Sequence, residues 1–278
     1  MNDYILKIPS EHLYCFGDIH GEFGAILATI KRYEIKDSVM VFCGDIGIGF
    51  EKKGYYDRWF DKMTKVLSRN NVYVVFIRGN HDDPEYFNGK TFNRKYIKVV
   101  KDYTILEIER SEQEPYRILC VGGGISIDRL YRLEKTEEYV RKYMLWHMCD
   151  ETEARSKAGK LYWFKESPYI DEDAFKFILD NNVNINMVCT HTCPSYAQPI
   201  TKGGVENWMK YDIKLKEDLN KERGVMDEVM ERLHTIGTIP SHWTYGHYHY
   251  HNSEVIDGTV YTMLDMCRNG NLDMLQMF

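Results

Sequence analysis

Short apolar runs that stop abruptly at polar residues flanked by glycine recur along this chain. The first is Leu13-Tyr14-Cys15-Phe16. It is followed by Gly17-Asp18-Ile19-His20-Gly21 and then by Phe23, Ile26, Leu27 and Ile30 at helical spacing. The second, Ser38-Val39-Met40-Val41-Phe42-Cys43, ends in Gly44-Asp45-Ile46-Gly47-Ile48-Gly49, and a helix is predicted over 55–70 with Trp59, Phe60, Met63 and Leu67 on one face. The third, Val72-Tyr73-Val74-Val75-Phe76-Ile77, ends in Arg78-Gly79-Asn80-His81-Asp82-Asp83-Pro84. Strands alternating with helices imply a parallel sheet with helical crossovers, and such a sheet brings every one of these polar loops to the same edge.

Beyond residue 96 the pattern changes. Ile97–Val100, Tyr103–Glu109 and Tyr116–Val121 are strand-like runs separated by turns rather than helices, which predicts antiparallel pairing and a second sheet packed on the first. Gly122-Gly123-Gly124 lacks the Lys-Ser/Thr of a phosphate loop and reads as a turn that must avoid Cβ clashes. Residues 134–158 read as a charged helical insertion with one packed face. Leu161-Tyr162-Trp163-Phe164 reads as packing, with one aromatic lining a pocket. A helix is predicted over 171–181, and the strand Ile185–Cys189 then runs into Thr190-His191. Residues 205–234 read as mostly helical, and Trp243-Thr244-Tyr245 runs into Gly246-His247-Tyr248-His249. Asp257-Gly258 between Val255-Ile256 and Val260–Leu264 marks a hairpin. With no internal repeat or linker, one domain over 1–278 is expected, carrying a helical insertion or cap at about 129–165.

Composition narrows the classes. The 278 residues are 44% hydrophobic and 14% aromatic, enough for a sizeable core. A formal net charge of −6 argues against a protein that coats duplex nucleic acid. Four of the seven cysteines, Cys15, Cys43, Cys120 and Cys189, lie in apolar strand-like runs and read as buried hydrophobes in a reducing compartment. The N-terminal residues lack a basic region followed by an apolar core, and no run approaches the roughly 20 apolar residues of a membrane span. A cytoplasmic protein without membrane contact is expected.

The polar residues that follow the apolar strands are Asp18, His20, Asp45, Asn80, His81, His191, His247 and His249, drawn from five strand ends. This is an oxygen and nitrogen donor set without thiolate, which suits Mn, Fe, Zn or Ni. It is large enough for two ions with one aspartate bridging, and two ions roughly 3.5–4 Å apart would clamp the attacking and leaving oxygens of a phosphoryl displacement. The other histidines, His12, His147, His234, His242 and His251, read as ordinary surface or core residues.

Taken together, Asp18-x-His20, Gly44-Asp45, Gly79-Asn80-His81-Asp82, the isolated His191 and Gly246-His247-x-His249 resemble, in order, the five motifs of the calcineurin-like metallophosphoesterases. The resemblance spans nearly the whole chain. It implies an α/β fold, a four-layer αββα sandwich of two mixed β-sheets flanked by helices. It implies that Asp18, His20 and His249 hold one divalent ion, that Asn80, His191 and His247 hold a second, and that Asp45 bridges them. Manganese comes first among the candidate ions, with Fe, Zn, Ni or Mg as alternatives. The implied activity is that of a metal-dependent phosphoric ester hydrolase, a phosphatase or phosphodiesterase, in which a metal-bridging hydroxide attacks phosphorus. Asp45 and Asn80 would serve the reaction through the metals, and His81 would act as general acid or charge stabiliser at the leaving oxygen.

The substrate would be a phosphate ester, a nucleotide among the options. A nuclease acting on single-stranded or short nucleic acid and a non-catalytic scaffold are the alternatives. Retention of all seven ligands and His81 favours the enzyme. The serine/threonine protein phosphatases continue Gly-Asp-x-Val-Asp-Arg-Gly where this chain has Gly44-Asp45-Ile46-Gly47-Ile48-Gly49-Phe50, so their phosphate-gripping arginine is missing here. The stretch Gly122–Arg129, with Arg132 and Trp163, resembles instead a bacterial or phage-type subgroup. Arg78, Asp128, Arg129 and Arg132 are the candidate substrate-binding residues. Oligomeric state is left open.

Overall fold

A computed structural model describes residues 4–201 and 203–278. In chain order its strands are β1 (Ile5–Pro9), β2 (His12–Phe16), β3 (Ser38–Phe42), β4 (Val72–Phe76), β5 (Ile97–Val99), β6 (Thr104–Glu109), β7 (Tyr116–Val121), β8 (Met187–Thr190), β9 (His242–Tyr245), β10 (Asn252–Ile256), β11 (Thr259–Met263) and β12 (Met274–Gln276). Its helices are α1 (Phe23–Arg32), α2 (Lys53–Asn70), α3 (Arg129–His147), α4 (Glu151–Ala158), α5 (Glu172–Asp180), α6 (Val205–Met209) and α7 (Leu215–Ile236).

The strands form two mixed sheets. One has five strands in the order β12-β2-β3-β4-β5, parallel except for β12, and the other has seven in the order β1-β6-β7-β8-β9-β11-β10. Every residue of β3 is buried, and its alternation serves both faces. Val39 and Val41 point into the layer between the sheets, against Leu106, Ile118 and Met187 of the other sheet. Met40 and Phe42 point outward to the helices. On that outer side α2 lays down Tyr56, Phe60, Met63 and Leu67 at helical spacing, each burial contributing about 1.5–3 kcal/mol. On the far side of the second sheet, Phe175 and Ile178 of α5 and Met226, Val229 and Leu233 of α7 cover Trp243 and Tyr245. The result is helix, sheet, sheet, helix, the four-layer α/β arrangement expected.

Several local expectations shift. The run 97–100 does not open a second antiparallel set: β5 joins the first sheet, parallel to β4, although no α-helix crosses between them. Of these three runs only β6 and β7 pair antiparallel. β1 and β12, at the two ends of the described chain, were not anticipated; β1 pairs with β6 and β12 with β2. The segment 205–234 is two helices, broken at Lys210–Lys214, and the charged insertion is the pair α3 and α4 packed on each other. The Asp257-Gly258 hairpin forms between β10 and β11.

Candidate metal centre

Because β2, β3 and β4 run parallel, the loops after them emerge at one edge, and β8 and β9 of the second sheet deliver theirs to the same place. Main-chain bonds lace the loops together. The amides of Ile19 and His20 donate to the Asp45 carbonyl, that of Gly246 to the His191 carbonyl and that of Cys267 to the Asp18 carbonyl. Gly44 turns at φ +95° with the His191 ring packed where its Cβ would be, so only glycine fits. Gly124 likewise lies over the cluster, a Cβ there standing 3.0 Å from the His191 ring. That is the steric reason for the glycine turn read from sequence. His20, Asp45, His247 and His249 all have φ between +45° and +71°, a left-handed backbone that non-glycine residues rarely adopt. Each such residue stores on the order of 1–3 kcal/mol of strain, and such positions collect at functional sites.

The side chains converge. Asp18, His20, Asp45 and His249 form one group able to hold a metal ion and Asp45, His191 and His247 a second, the ligand atoms within each lying within 4.8 Å of one another. Asp45 belongs to both. His249 Nε2 lies 3.2 Å from Asp18 Oδ2, and His191 Nε2 lies 3.3 Å from Asp45 Oδ1 and 2.9 Å from Asn80 Oδ1. His247 Nδ1 is 3.1 Å from His191 Nε2. The Asp18 carboxylate also accepts the His247 amide, at 3.0 Å. Asp18, Asp45, Asn80, His191 and His247 are buried, while His20 and His249 open to solvent. Burial opposes charge on Asp45, yet His191, His81 and His20 hold its carboxyl well below the usual range. Burial also opposes charge on His191, but the Asp45 and Asp18 carboxylates prevail and push it up to about 9. A cation and a proton would compete for the His191 ring.

His81 sits at the open side, Nε2 3.9 Å from Asp45 Oδ2, with its amide donating to Asp45 Oδ1 at 2.7 Å. Arg132 reaches it: Nη2 lies 3.5 Å from His81 Nε2, while Nε donates to Asp128 at 2.7 Å. The other proposed cations lie elsewhere. Arg78 is buried, with its guanidinium donating to Asp102 and to the carbonyls of Lys165, Glu166 and Ser167. Arg129 is engaged with Asp212 and Asp218, fastening α3 to the α6–α7 region. Arg78 has partners on all three guanidinium nitrogens, and Arg129 commits Nε and Nη2 to its two carboxylates, which leaves few donors for a phosphate. Of the four candidates, Arg132 and its partner Asp128 stand by the cluster. Trp163 packs edge-on against Phe50, centroids 4.8 Å apart, and Phe50 faces His81.

Two buried carboxyls escaped the sequence reading as functional parts. Asp82, read only as the last letter of its motif, accepts four main-chain N–H groups, from Ile46, Gly47, Ile48 and Gly79, at 2.8–3.1 Å. It clamps the Asp45 loop to the Asn80 loop. Asp82→Asn leaves one oxygen for four donors and is expected to cost about 2–4 kcal/mol in urea denaturation; a loss within measurement error would show that the clamp carries no weight. Glu166, inside a polar loop with no pattern to betray it, accepts both the amide and hydroxyl of Ser126, whose Oγ in turn accepts Asn80 Nδ2 at 2.9 Å. This fixes the Asn80 amide oxygen toward His191. Burial pushes Glu166 up to about 8, against the Ser126 bonds that favour the anion. The folded state thus keeps a proton that the unfolded chain gives up near pH 4, so stability falls as pH rises from about 4 to 8. Glu166→Gln mimics the protonated acid. The urea midpoint of metal-free variant should drop less between about pH 5 and pH 8 than that of the parent, whereas equal drops would contradict the shift.

Residues 12–275 match the calcineurin-like phosphoesterase family. The chain belongs to that family. Among solved structures, this calcineurin-like phosphoesterase is similar to the phosphopantetheinyl hydrolase PptH from Mycobacterium tuberculosis (11% identity, TM-score 0.41, 96% of each chain covered). It is also similar to GAP50, the anchor in the inner membrane complex of Plasmodium (10% identity, TM-score 0.41, 91% of this chain and 70% of that one). A third is a serine/threonine phosphatase from Saccharomyces cerevisiae with similarity to human phosphatase PP5 (13% identity, TM-score 0.36, 98% of this chain and 75% of that one). No curated protein matches the chain. No helix among the described residues is long and apolar enough to cross a membrane.

Proposed function

We propose that this protein hydrolyses phosphate esters with two divalent metal ions held by its clustered loop residues. The observation that most supports this reading is the shared carboxylate. Asp45 belongs to both donor groups, one oxygen 3.3 Å from His191 and the other 3.9 Å from His20. Asp18, His20, His249 and Asp45 would hold one ion, and Asn80, His191, His247 and Asp45 the other. Carboxylate, amide and imidazole donors without thiolate suit manganese first, with iron, zinc, nickel or magnesium as substitutes. Bound there, the ions would bring the pKa of a water toward neutrality and offset the charge that builds on phosphorus.

The protein's own groups supply the rest. Asp18 and Asp45 give fixed, buried negative charge, and the neutral Asn80 amide keeps the total down. His81 would donate a proton to the departing oxygen, and Arg132, braced by Asp128, would hold a phosphate oxygen beside it. Both monoesters and diesters fall within this chemistry. The seven free cysteines, all but Cys149 buried, suit the reducing conditions of the cytoplasm.

The test is hydrolysis of p-nitrophenyl phosphate and bis-p-nitrophenyl phosphate by chelator-stripped protein, with Mn, Mg, Ni or Zn added back. Metal-dependent turnover supports the reading, and the preferred ester separates monoesterase from diesterase. Two ions bound with no turnover of either ester would count against it.

A further inference from the structure

Beside the metal centre a cleft of about 500 Å³ opens, within the roughly 300–1,000 Å³ usual for small-molecule sites. His20 and His81 stand at its inner end, their rings 5.5 Å apart. Three aromatic rings, Phe50, Tyr55 and Trp59, line it, with the exposed Lys62 ammonium 4.6 Å from the Trp59 centroid, where a flat ring would take its place, and Gly21, Gly24 and Gly47 contribute no side chain to it. Gly24 is informative. It lies in the first turn of α1, its φ is not left-handed, and a Cβ there would meet nothing nearer than the Trp59 ring at 3.9 Å. Neither backbone nor packing requires glycine, and glycine weakens a helix relative to alanine. A methyl there would simply touch that ring's edge, so what glycine spares is a longer side chain running past it into the cleft.

Glu22 and Glu51 also line the cleft, both exposed, and neither carboxylate has an ion-pair partner among the described residues. They offer acceptors for N–H groups and repel a second phosphate. Aromatic walls, space for a flat ring and two acidic acceptors make a consistent set. We infer that this cleft takes the organic part of the substrate, and that this part is an amino-bearing nucleobase of a mononucleotide, its phosphate lying between His20 and His81. The flanking phosphates of a nucleic-acid strand would meet Glu22 and Glu51, which disfavours a polynucleotide. The inference rests on the phosphoesterase reading for the phosphate, but not for the base.

Two measurements separate the parts. Titration calorimetry with adenosine, which carries no phosphate, on metal-free protein should give saturable binding. Trp59→Ala and the cleft-filling Gly24→Leu should each weaken it tenfold or more, the scale of a lost base stack. Uridine, which has no exocyclic amine, should bind more weakly. With Mn added, the ratio of kcat/KM for adenosine 5′-monophosphate to that for glycerol phosphate should fall at least tenfold in both variants. No saturable adenosine binding, or equal affinity in parent and Gly24→Leu, overturns the cleft even if chromogenic esters are hydrolysed. Adenosine binding that depends on Gly24 and Trp59, in a protein that hydrolyses no ester, would sustain the cleft while the phosphoesterase reading falls.

Discussion

Asp45→Asn is expected to cut turnover and metal loading together. The Asp45 carboxylate is the one group common to both donor sets, with Oδ1 toward His191 and Oδ2 toward His20 and His81. An amide keeps the size but offers one oxygen and no charge, so two cations would lose both their shared ligand and the charge that offsets their repulsion. The variant should still fold, because an Asn oxygen can accept the His81 amide as Asp45 does now. Metal content should fall from two ions per chain to one or none. Hydrolysis of the p-nitrophenyl esters should fall on the order of 10³-fold, the upper scale for losing one electrostatic stabiliser. Two tightly held ions and full turnover would refute a bridging role.

His81→Ala should separate loading from chemistry. Its ring lies at the open side, beyond hydrogen-bond reach of Asp45 at 3.9 Å, so both ions should remain. Turnover should fall by about 10²–10⁴-fold if His81 protonates the leaving oxygen. The fall should be steepest for an alkyl ester, whose alkoxide needs a proton, and shallowest for p-nitrophenyl phosphate, whose phenolate leaves unaided. An equal fall for both would argue against an acid role and for stabilisation of charge on the phosphoryl group. Arg132, 3.5 Å from the same ring, would then be its natural companion.

Much of this was legible in the chain. Asp18, Asp45, Asn80 and His191 each follow a largely apolar run, and parallel pairing obliges the first three of those loops to share an edge. Charge was less informative, since a sequence does not reveal whether a cation is already spoken for. Arg78 and Arg132 look alike in sequence, yet one is enclosed by carbonyls and the other stands beside His81. Glu166 could not be read at all, because its role depends on Ser126, forty positions away, and on burial that its polar neighbours conceal. β5 was assigned to the wrong sheet because a parallel neighbour normally needs a helix between, and here an irregular stretch with a single short 3₁₀ turn serves. β1 and β12 are short edge strands whose place is set by distant partners, β6 and β2.

The two sheets contribute unequal halves to the centre: Asp18, His20, Asp45 and Asn80 come from one, His191, His247 and His249 from the other. An ion held by both halves is a rivet through the seam between them. At a hundredfold excess over its dissociation constant, each such ion would add about 2.7 kcal/mol to the folded state. Chelation would therefore lower the urea midpoint of the whole chain, since the apolar layer between the sheets, Val39, Val41 and Met187 included, would lose the clasp at its edge. Cofactor supply would thus govern how long the folded chain survives, as well as whether it turns over.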